Sequence, residues 1–533
     1  VMDIVKTLSK QLNVSCDVSD VYRTLCYENE SDQDKALNMS ALLETASIST
    51  KEHTRSIVVF SSALRIRCFG EEVTIEALNG NGKQLLAVLS EHFQQCHLIK
   101  DGIRLTYDHK ALKASIDESE KLSKANVLDV LRQVLKTVRT ESADDRTTLL
   151  VGTFSFDCYQ LFEDLPALEQ EQTFPDYDFY LADRLLIVDH INHSSRLISK
   201  VFVSHEDKSS FFDYQQQLSI DEQNITALQP KKRMNFTPSK RTSACEINID
   251  NQTYTSLVNR AKEHIVAGDV FQMVLARDFS MPCSDALLAY QALRLSNPSP
   301  YMFFVSTPEY QLLGASPESA VKYTVSNNRL SIYPIAGTRR RGLTETGSID
   351  NDLDARIELE LKNDEKEKAE HLMLVDLARN DVARVSHSGS RTIDRLLEID
   401  RYSHVMHLVS KVSGSLKDNL DALSAYQACM NMGTLSGAPK VKATQLIRTF
   451  ENKYRGVYGG AMGYLNAAGD MDTAIVIRSA LVQNNVAMVS AGAGIVFDSQ
   501  PEFEIKETEN KAAAVLFAIE AANALFEQRT EVN

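Results

Sequence analysis

The chain has 533 residues, 43% hydrophobic and 24% charged, with a formal net charge of −15 and no tryptophan. That length holds two or three domains, or one large intertwined pair. The acidic balance argues against a general nucleic-acid or anionic-membrane partner, because phosphate binding needs a basic face.

Eight cysteines (Cys16, Cys26, Cys68, Cys96, Cys158, Cys245, Cys283, Cys429) are scattered without a C-x-x-C pair. The pattern supports neither a metal site nor a small disulfide framework and predicts reduced thiols in the cytoplasm. The start, "VMDIVKTLSKQLNV", has no continuous apolar stretch of signal-peptide type. Late in the chain, "AAAVLFAIEAANALF" is interrupted by Glu520 and is too short to span a bilayer.

In chain order, "ALRIRCFGEEVTIEALNGNG" predicts two alternating strands about a Gly-Glu turn. "LLIVDHINHSSRLISKVFV" predicts two more, joined by a polar turn. A seam follows at "LQPKKRMNFTPSKRTSACEINID", with two prolines, a basic cluster and little apolar periodicity. It divides the chain into an N-terminal portion (1–228), a linker (229–249) and a C-terminal portion (250–528). Beyond it, "YMFFVSTPEYQLLGASPESAVKYTVSNNRLSIYPIAGT" reads as successive strands, and "DEKEKAEHLMLVDLARNDVARV", "APKVKATQLIRTFE" and the segment after Pro501 read as helices. Short loops between strands imply antiparallel pairing, so the expected class is α+β, with helices covering large antiparallel sheets.

Several stretches could carry chemistry. In "PIAGTRRRG", Gly337 and Thr338 precede three arginines, a turn able to hold an anion against backbone N–H groups, a hydroxyl and guanidinium charge. Its Ala336 has no chemistry at a position that looks poised for some. Glu367 and Glu370 share a face of one helix, and Glu504, Glu507 and Lys511 share a face of another. Ser499 and Glu502 have capping-box spacing at the second helix, with Pro501 tolerated in its first turn. Two solvated acidic faces are the default. If the faces converge, their repulsion calls for a cation, and Mg²⁺ suits one or two carboxylates plus water and an anionic substrate.

"TLSGAPKVKA" places Thr434, Ser436 and Gly437 before a helix whose N–H groups favour a carboxylate. "VAMVSAGAGIVF" runs a strand into Gly492, Ala493 and Gly494, where small residues permit close backbone approach. No dinucleotide or P-loop pattern occurs. His407, in a strand-like run, is a structural histidine or a general acid/base; Glu318, in "GASPES", is a surface acid or a proton donor.

Taken together, "GASPES", "PIAGTRRRG", "AEHLMLVDLARNDVARV", "YSHVMHLVSKVSG", "TLSGAPKVKA", "YGGAMGYL", "IVIRSA", "AGAGIVFDSQPEFE" and "ETENKA" closely resemble the chorismate-utilising enzymes, from about Asp250 to the last helix. "LLETASI" and "ALNGNG" resemble the amino-terminal part of the family's anthranilate-forming branch. The resemblance implies intertwined N-terminal regulatory and C-terminal catalytic portions. It implies Mg²⁺ on Glu370 and Glu507, with Glu367 and Glu504 beside them. It implies chorismate on Gly337, Thr338, Tyr458, Arg478, Gly492, Ala493, Gly494 and Lys511, and catalytic roles for Glu318, His407 and Thr434.

The implied reaction adds ammonia at ring carbon C2 as the C4 hydroxyl leaves, then expels pyruvate to give anthranilate. Relatives that make aminodeoxychorismate carry a nucleophilic Lys where this chain has Ala336. Relatives that activate water carry a Lys where Gln272 stands. Ammonia is therefore expected from outside, and with no G-x-C-x-G-type nucleophile turn in the chain, a separate glutamine amidotransferase subunit is the expected source. Glu44, Thr45, Pro300, Tyr301 and Met302 match the family's site for L-tryptophan as feedback inhibitor, with Thr45 where Ser is more frequent. Arg340 stands where Pro is common. The rivals are an aminodeoxychorismate synthase, against which Ala336 speaks, and a catalytically silent tryptophan-sensing subunit.

Overall fold

Two long strands, His53–Phe69 and Tyr177–Asp189, pair with each other along most of their length. Their register shifts around Ser61 and Ser62, and such bulges bend a strand so that its two halves serve different neighbours. The first half of His53–Phe69 pairs with Ser40–Ala46, and its second half with Glu72–Ala77. Tyr177–Asp189 pairs first with Leu149–Phe154 and then with Ser194–Phe202. The structure, a computed structural model, describes residues 5–14, 16–27, 39–46, 53–93, 96–114, 117–202, 209–229, 236, 245–344, 348–402 and 405–532. Most of the 229–249 linker, and Ser47 and Ile48 of "LLETASI", lie outside them.

From the shared pair two antiparallel ribbons extend. One runs through Ser40–Ala46, Tyr301–Ser306, Gln311–Ser316, Ser479–Gln483, Val486–Ile495 and Gln272–Pro282. The other runs through Leu149–Phe154, Ala461–Asn466, Met471–Ile475, Ser319–Thr324, Arg329–Ile332 and Val405–Ser415. Val405–Ser415 then pairs with both Ile335–Arg340 and Thr392–Arg401. The α+β expectation holds, and each ribbon mixes strands from both sides of the linker.

Three helices position the site. Lys440–Glu451 buries Ala443 and Ile447 against Met273 and Leu275. Glu365–Val385 starts where Asp364 accepts hydrogen bonds from the N–H groups of Lys366 and Glu367. It buries Val375, Ala378 and Val382 in the same cluster as Val412. The last helix, Pro501–Val532, begins at its proline, where a missing N–H costs nothing, with Glu502 and Glu504 beside the positive end of the helix dipole. Its Ala512, Val515 and Ile519 pack in one cluster with Leu287 and Tyr290 of the helix Ala286–Ser296. Each fully buried Val or Leu contributes roughly 1.5–3 kcal/mol. Among the described residues no helix is long and apolar enough to cross a membrane, and none of the eight cysteines is in a disulfide.

Candidate active site

Glu318 occupies the corner between Gln311–Ser316 and Ser319–Thr324. Its N–H donates to Ser316 Oγ at 3.3 Å, and its carbonyl accepts from the N–H of Ile475 at 3.0 Å. The residue is only 6% exposed, so it is not the surface acid that a turn would suggest. Burial pushes its carboxyl up to about 8, against a hydrogen bond from Thr434 Oγ1 at 3.0 Å and the charge of Lys511. At neutral pH it is a carboxylic acid with a proton to give.

His407 lies on Val405–Ser415, flanked across the sheet by Thr338 and Asp400. Its Nδ1 is 2.9 Å from Thr338 Oγ1, and the Tyr402 ring meets it edge-on at 5.1 Å. Burial and the nearby Arg478 cation push the imidazole down to about 3, so it is neutral. Asp400 does not reach it, because its carboxylate is bound by Arg395 Nη2 at 2.6 Å. Arg478 itself is half-buried and holds a left-handed backbone at φ +50, a strain that persists only where the surroundings impose it.

The two acidic faces converge. Glu370 is pushed up to about 7 by burial and by the charges of Glu367, Glu507 and Glu504, against the pull of Lys366. Burial also acts on Glu507, but Lys511 at 2.6 Å outweighs it and holds the carboxyl below its ordinary range. Arg339 Nη1 donates to Glu367 at 2.8 Å. Among the described residues no three His, Cys, Asp or Glu side chains close into a ready cage. Mg²⁺ requires only one or two carboxylates, and a cation would offset both the burial and the mutual repulsion that raise Glu370, so the donor set fits it.

Two cations link three of these groups. Lys511 acts on both Glu318 and Glu507, and Arg478 on both His407 and Glu507. Lys511 Nζ also donates to the Gly492 carbonyl at 3.0 Å, drawing the Val486–Ile495 strand into the site. A Cβ on Gly492 would come within 2.9 Å of Val274 and 3.1 Å of the Tyr458 hydroxyl. One on Gly494 would meet Gln272 Nε2 at 2.5 Å. These glycines therefore keep room for side chains that cross the strand.

Three readings of the sequence need correction. The three arginines are not an anion cradle: Arg339 binds Glu367 and Asp364, Arg341 forks onto Asp354 at 2.8 and 2.7 Å, and only Arg340 is left at the surface. Nor does Ser436 await a ligand before its helix. It is fully buried, donates to the Met432 carbonyl, and is followed by a short strand, Gly437–Ala438, paired with Gln272 and Met273. Ser499 accepts from the Val496 N–H rather than closing a capping box with Glu502. Thr338 and the arginines were candidates, but their pairings with His407 and Glu367 gave no sequence signal, since each joins separate elements; Lys366, four residues before Glu370 on the same helix, was missed although that spacing announces the pair.

The residues matched to the tryptophan site also assemble. Thr45 faces Tyr301 and Glu44 faces Met302 across two paired strands, and the Ala46 N–H donates to the Pro300 carbonyl at 2.8 Å. Neighbours along a strand point to opposite faces. Glu44 points inward, taking hydrogen bonds from Tyr290 at 2.5 Å and Arg294 at 2.9 Å. The Thr45 hydroxyl lies 3.0 Å from that of Thr54, and the Tyr301 hydroxyl donates to Asp472 at 3.2 Å.

A buried acid and a neutral imidazole beside paired carboxylates, on interlocked antiparallel ribbons, define the class: residues 90–517 match the family of chorismate binding enzymes, and the chain belongs to that family. Within it, the sequence stands with the anthranilate synthase component 1 proteins. It is 46% identical to that of Vibrio parahaemolyticus over 508 residues, 95% of this chain and 91% of that protein. It is 46% identical to that of Escherichia coli over 491 residues, 90% of this chain and 92% of that protein. Among solved structures it is similar to anthranilate synthase component I from Streptococcus pneumoniae, with TM-score 0.66, 28% identity and coverage of 87% of this chain and 92% of that one. It shares its fold with the menaquinone-specific isochorismate synthase of Escherichia coli, with TM-score 0.66, 18% identity and coverage of 97% and 94%.

Proposed function

We propose that this enzyme converts chorismate and ammonia to anthranilate and pyruvate, the first committed step of tryptophan synthesis. The observation that carries the reading is a protonated Glu318 and a neutral His407 in one site, an acid and a base both ready at neutral pH. Glu318 gives its proton to the C4 hydroxyl as the C4–O bond breaks and water leaves. The ammonia lone pair forms the bond at C2, the ring double bonds shift, and the surplus proton on nitrogen restores Glu318. His407 then takes the C2 proton as the C3–O bond breaks. Enolpyruvate departs, gains a proton to become pyruvate, and the ring is aromatic.

Arg478 and the Gly492–Gly494 backbone hold one carboxylate of the substrate and fix the ring, with Thr338 and Tyr458 bordering it. Glu370 and Glu507 would hold Mg²⁺, which neutralises the ring carboxylate when bound. Ala336 offers no amine to compete with ammonia, and the Gln272 amide is not a base. Ammonia comes from glutamine hydrolysed by a separate amidotransferase subunit. L-tryptophan is the feedback inhibitor at Thr45 and Tyr301, with Glu44, Met302 and Pro300 supplying backbone and support.

The test is to incubate the isolated chain with chorismate, Mg²⁺ and an ammonium salt, and in parallel with glutamine. Anthranilate and pyruvate from ammonium alone, abolished by EDTA, are expected. Aminodeoxychorismate or isochorismate as product would overturn the reading of Ala336 and Gln272.

A further inference from the structure

The Ile335–Arg340 strand carries one extra residue against its partner. Ala336 faces Leu408 and Thr338 faces His407, so Gly337 is left over as a bulge, with φ +59. In a regular ladder Gly337 would stand opposite His407, with no side chain to offer. The bulge advances a hydroxyl into that place, and it lies 2.9 Å from His407 Nδ1. His407 Nε2 has no hydrogen-bond partner among the described residues, which leaves it as the nitrogen able to meet substrate.

We propose that Thr338 is a positioning residue that accepts a hydrogen bond from His407 Nδ1–H and so keeps the lone pair on Nε2. The proposal rests on His407 being the base of the elimination. A neutral imidazole carries one proton, and only the tautomer with that proton on Nδ1 can take another at Nε2. After the C2 proton arrives both nitrogens carry hydrogen, and Thr338 Oγ1 accepts from Nδ1 before and after, so nothing reorganises during the step. Were the hydroxyl the donor, Nε2 would carry the proton and no base would face the substrate. The orienting group is also uncharged. Asp400, on the other flanking strand, is drawn away by Arg395, so among the described residues no carboxylate hydrogen-bonds the imidazole.

The test compares Thr338→Val, which keeps the shape and removes the hydroxyl, with Thr338→Ser, which keeps the hydroxyl. Each full-length variant receives chorismate with ammonium, and separately the purified aminodeoxyisochorismate intermediate. In the valine variant the ratio of released intermediate to anthranilate is expected to rise about tenfold, the worth of one ordinary net hydrogen bond. The serine variant is expected to return it close to the native ratio. An unchanged ratio in the valine variant overturns the proposal. So does a loss of both steps in proportion that serine fails to rescue, which would make Thr338 a substrate contact only. His407→Ala with the intermediate supplied tests the underlying reading by itself: native elimination there would remove His407 as base, whatever Thr338 does.

Discussion

Glu318 shows how far one residue's role depends on surroundings that its neighbours in sequence do not reveal. Its carboxyl, ordinarily near 4.5, rises to about 8 in the fold. Its contribution to stability is therefore complete below about 4.5 and is lost as pH rises through about 8, because the unfolded chain ionises freely and the folded one cannot. Glu318→Gln is expected to cut turnover by about 10²–10⁴-fold, the usual worth of a general acid. The same change is expected to stabilise the fold by on the order of 4 kcal/mol at pH 7.5, an advantage that shrinks toward zero at pH 4.5, as thermal melts across that range would read. In the native enzyme, activity is expected to fall above about pH 8 as the acid form is lost. The motif "GASPES" made this glutamate a candidate, but its loop residues suggested a surface. Burial arises from the convergence of strands from distant parts of the chain, and that is why the residue was legible and its chemistry was not.

At the level of elements, alternation and turn residues identified strands and helices well, because a strand joined by a short loop leaves antiparallel pairing as the only economical arrangement. The common face of Glu367 and Glu370 was legible for the same local reason. The arginine loop was not. Arg341 and Asp354 form a buried, forked pair, and Arg341 Nη1 also donates to the Tyr402 carbonyl at 2.6 Å, so one side chain ties the end of the "PIAGT" strand to the helix Asn351–Asn363 and to the residues before His407. Arg341→Ala leaves the Asp354 charge buried without its partner and is expected to cost about 3–5 kcal/mol in denaturant unfolding. Replacing both by Met and Leu is expected to recover most of that stability. Equal loss in the single and double variants would mean that the pair does not anchor the loop.

For the molecule as a whole, the strand Ser40–Ala46 carries residues matched to the inhibitor site and belongs to the same ribbon as Val486–Ile495, which lines the active site. A ligand beside Thr45 and Tyr301 would therefore meet the same ribbon that carries the candidate active site. Thr45→Ser removes one methyl from that face and is expected to lower the L-tryptophan concentration for half inhibition about fourfold, if the methyl crowds the ligand by the worth of one methylene. An unchanged inhibition curve would show that the methyl points away. Nothing in the local sequence announces these long pairings, since propensity says that a segment is a strand and not which strand it will meet.

One such pairing also sets a clock. Leu149–Phe154 finds its neighbour Ala461–Asn466 roughly 300 residues later, and Ser40–Ala46 must wait for Tyr301–Ser306. At about 5–20 residues per second, a ribosome takes on the order of half a minute to supply the missing strand for Leu149–Phe154. For that time an apolar edge built of Leu, Val and Phe hangs unzipped beside the exit tunnel, an open invitation to the same edge on the next nascent chain of a polysome. Synthesis rate and chaperone supply, rather than the stability of the finished enzyme, are thus expected to govern its yield in cells. Slowing translation between the two strands is expected to lower the soluble fraction, and shortening the delay to raise it.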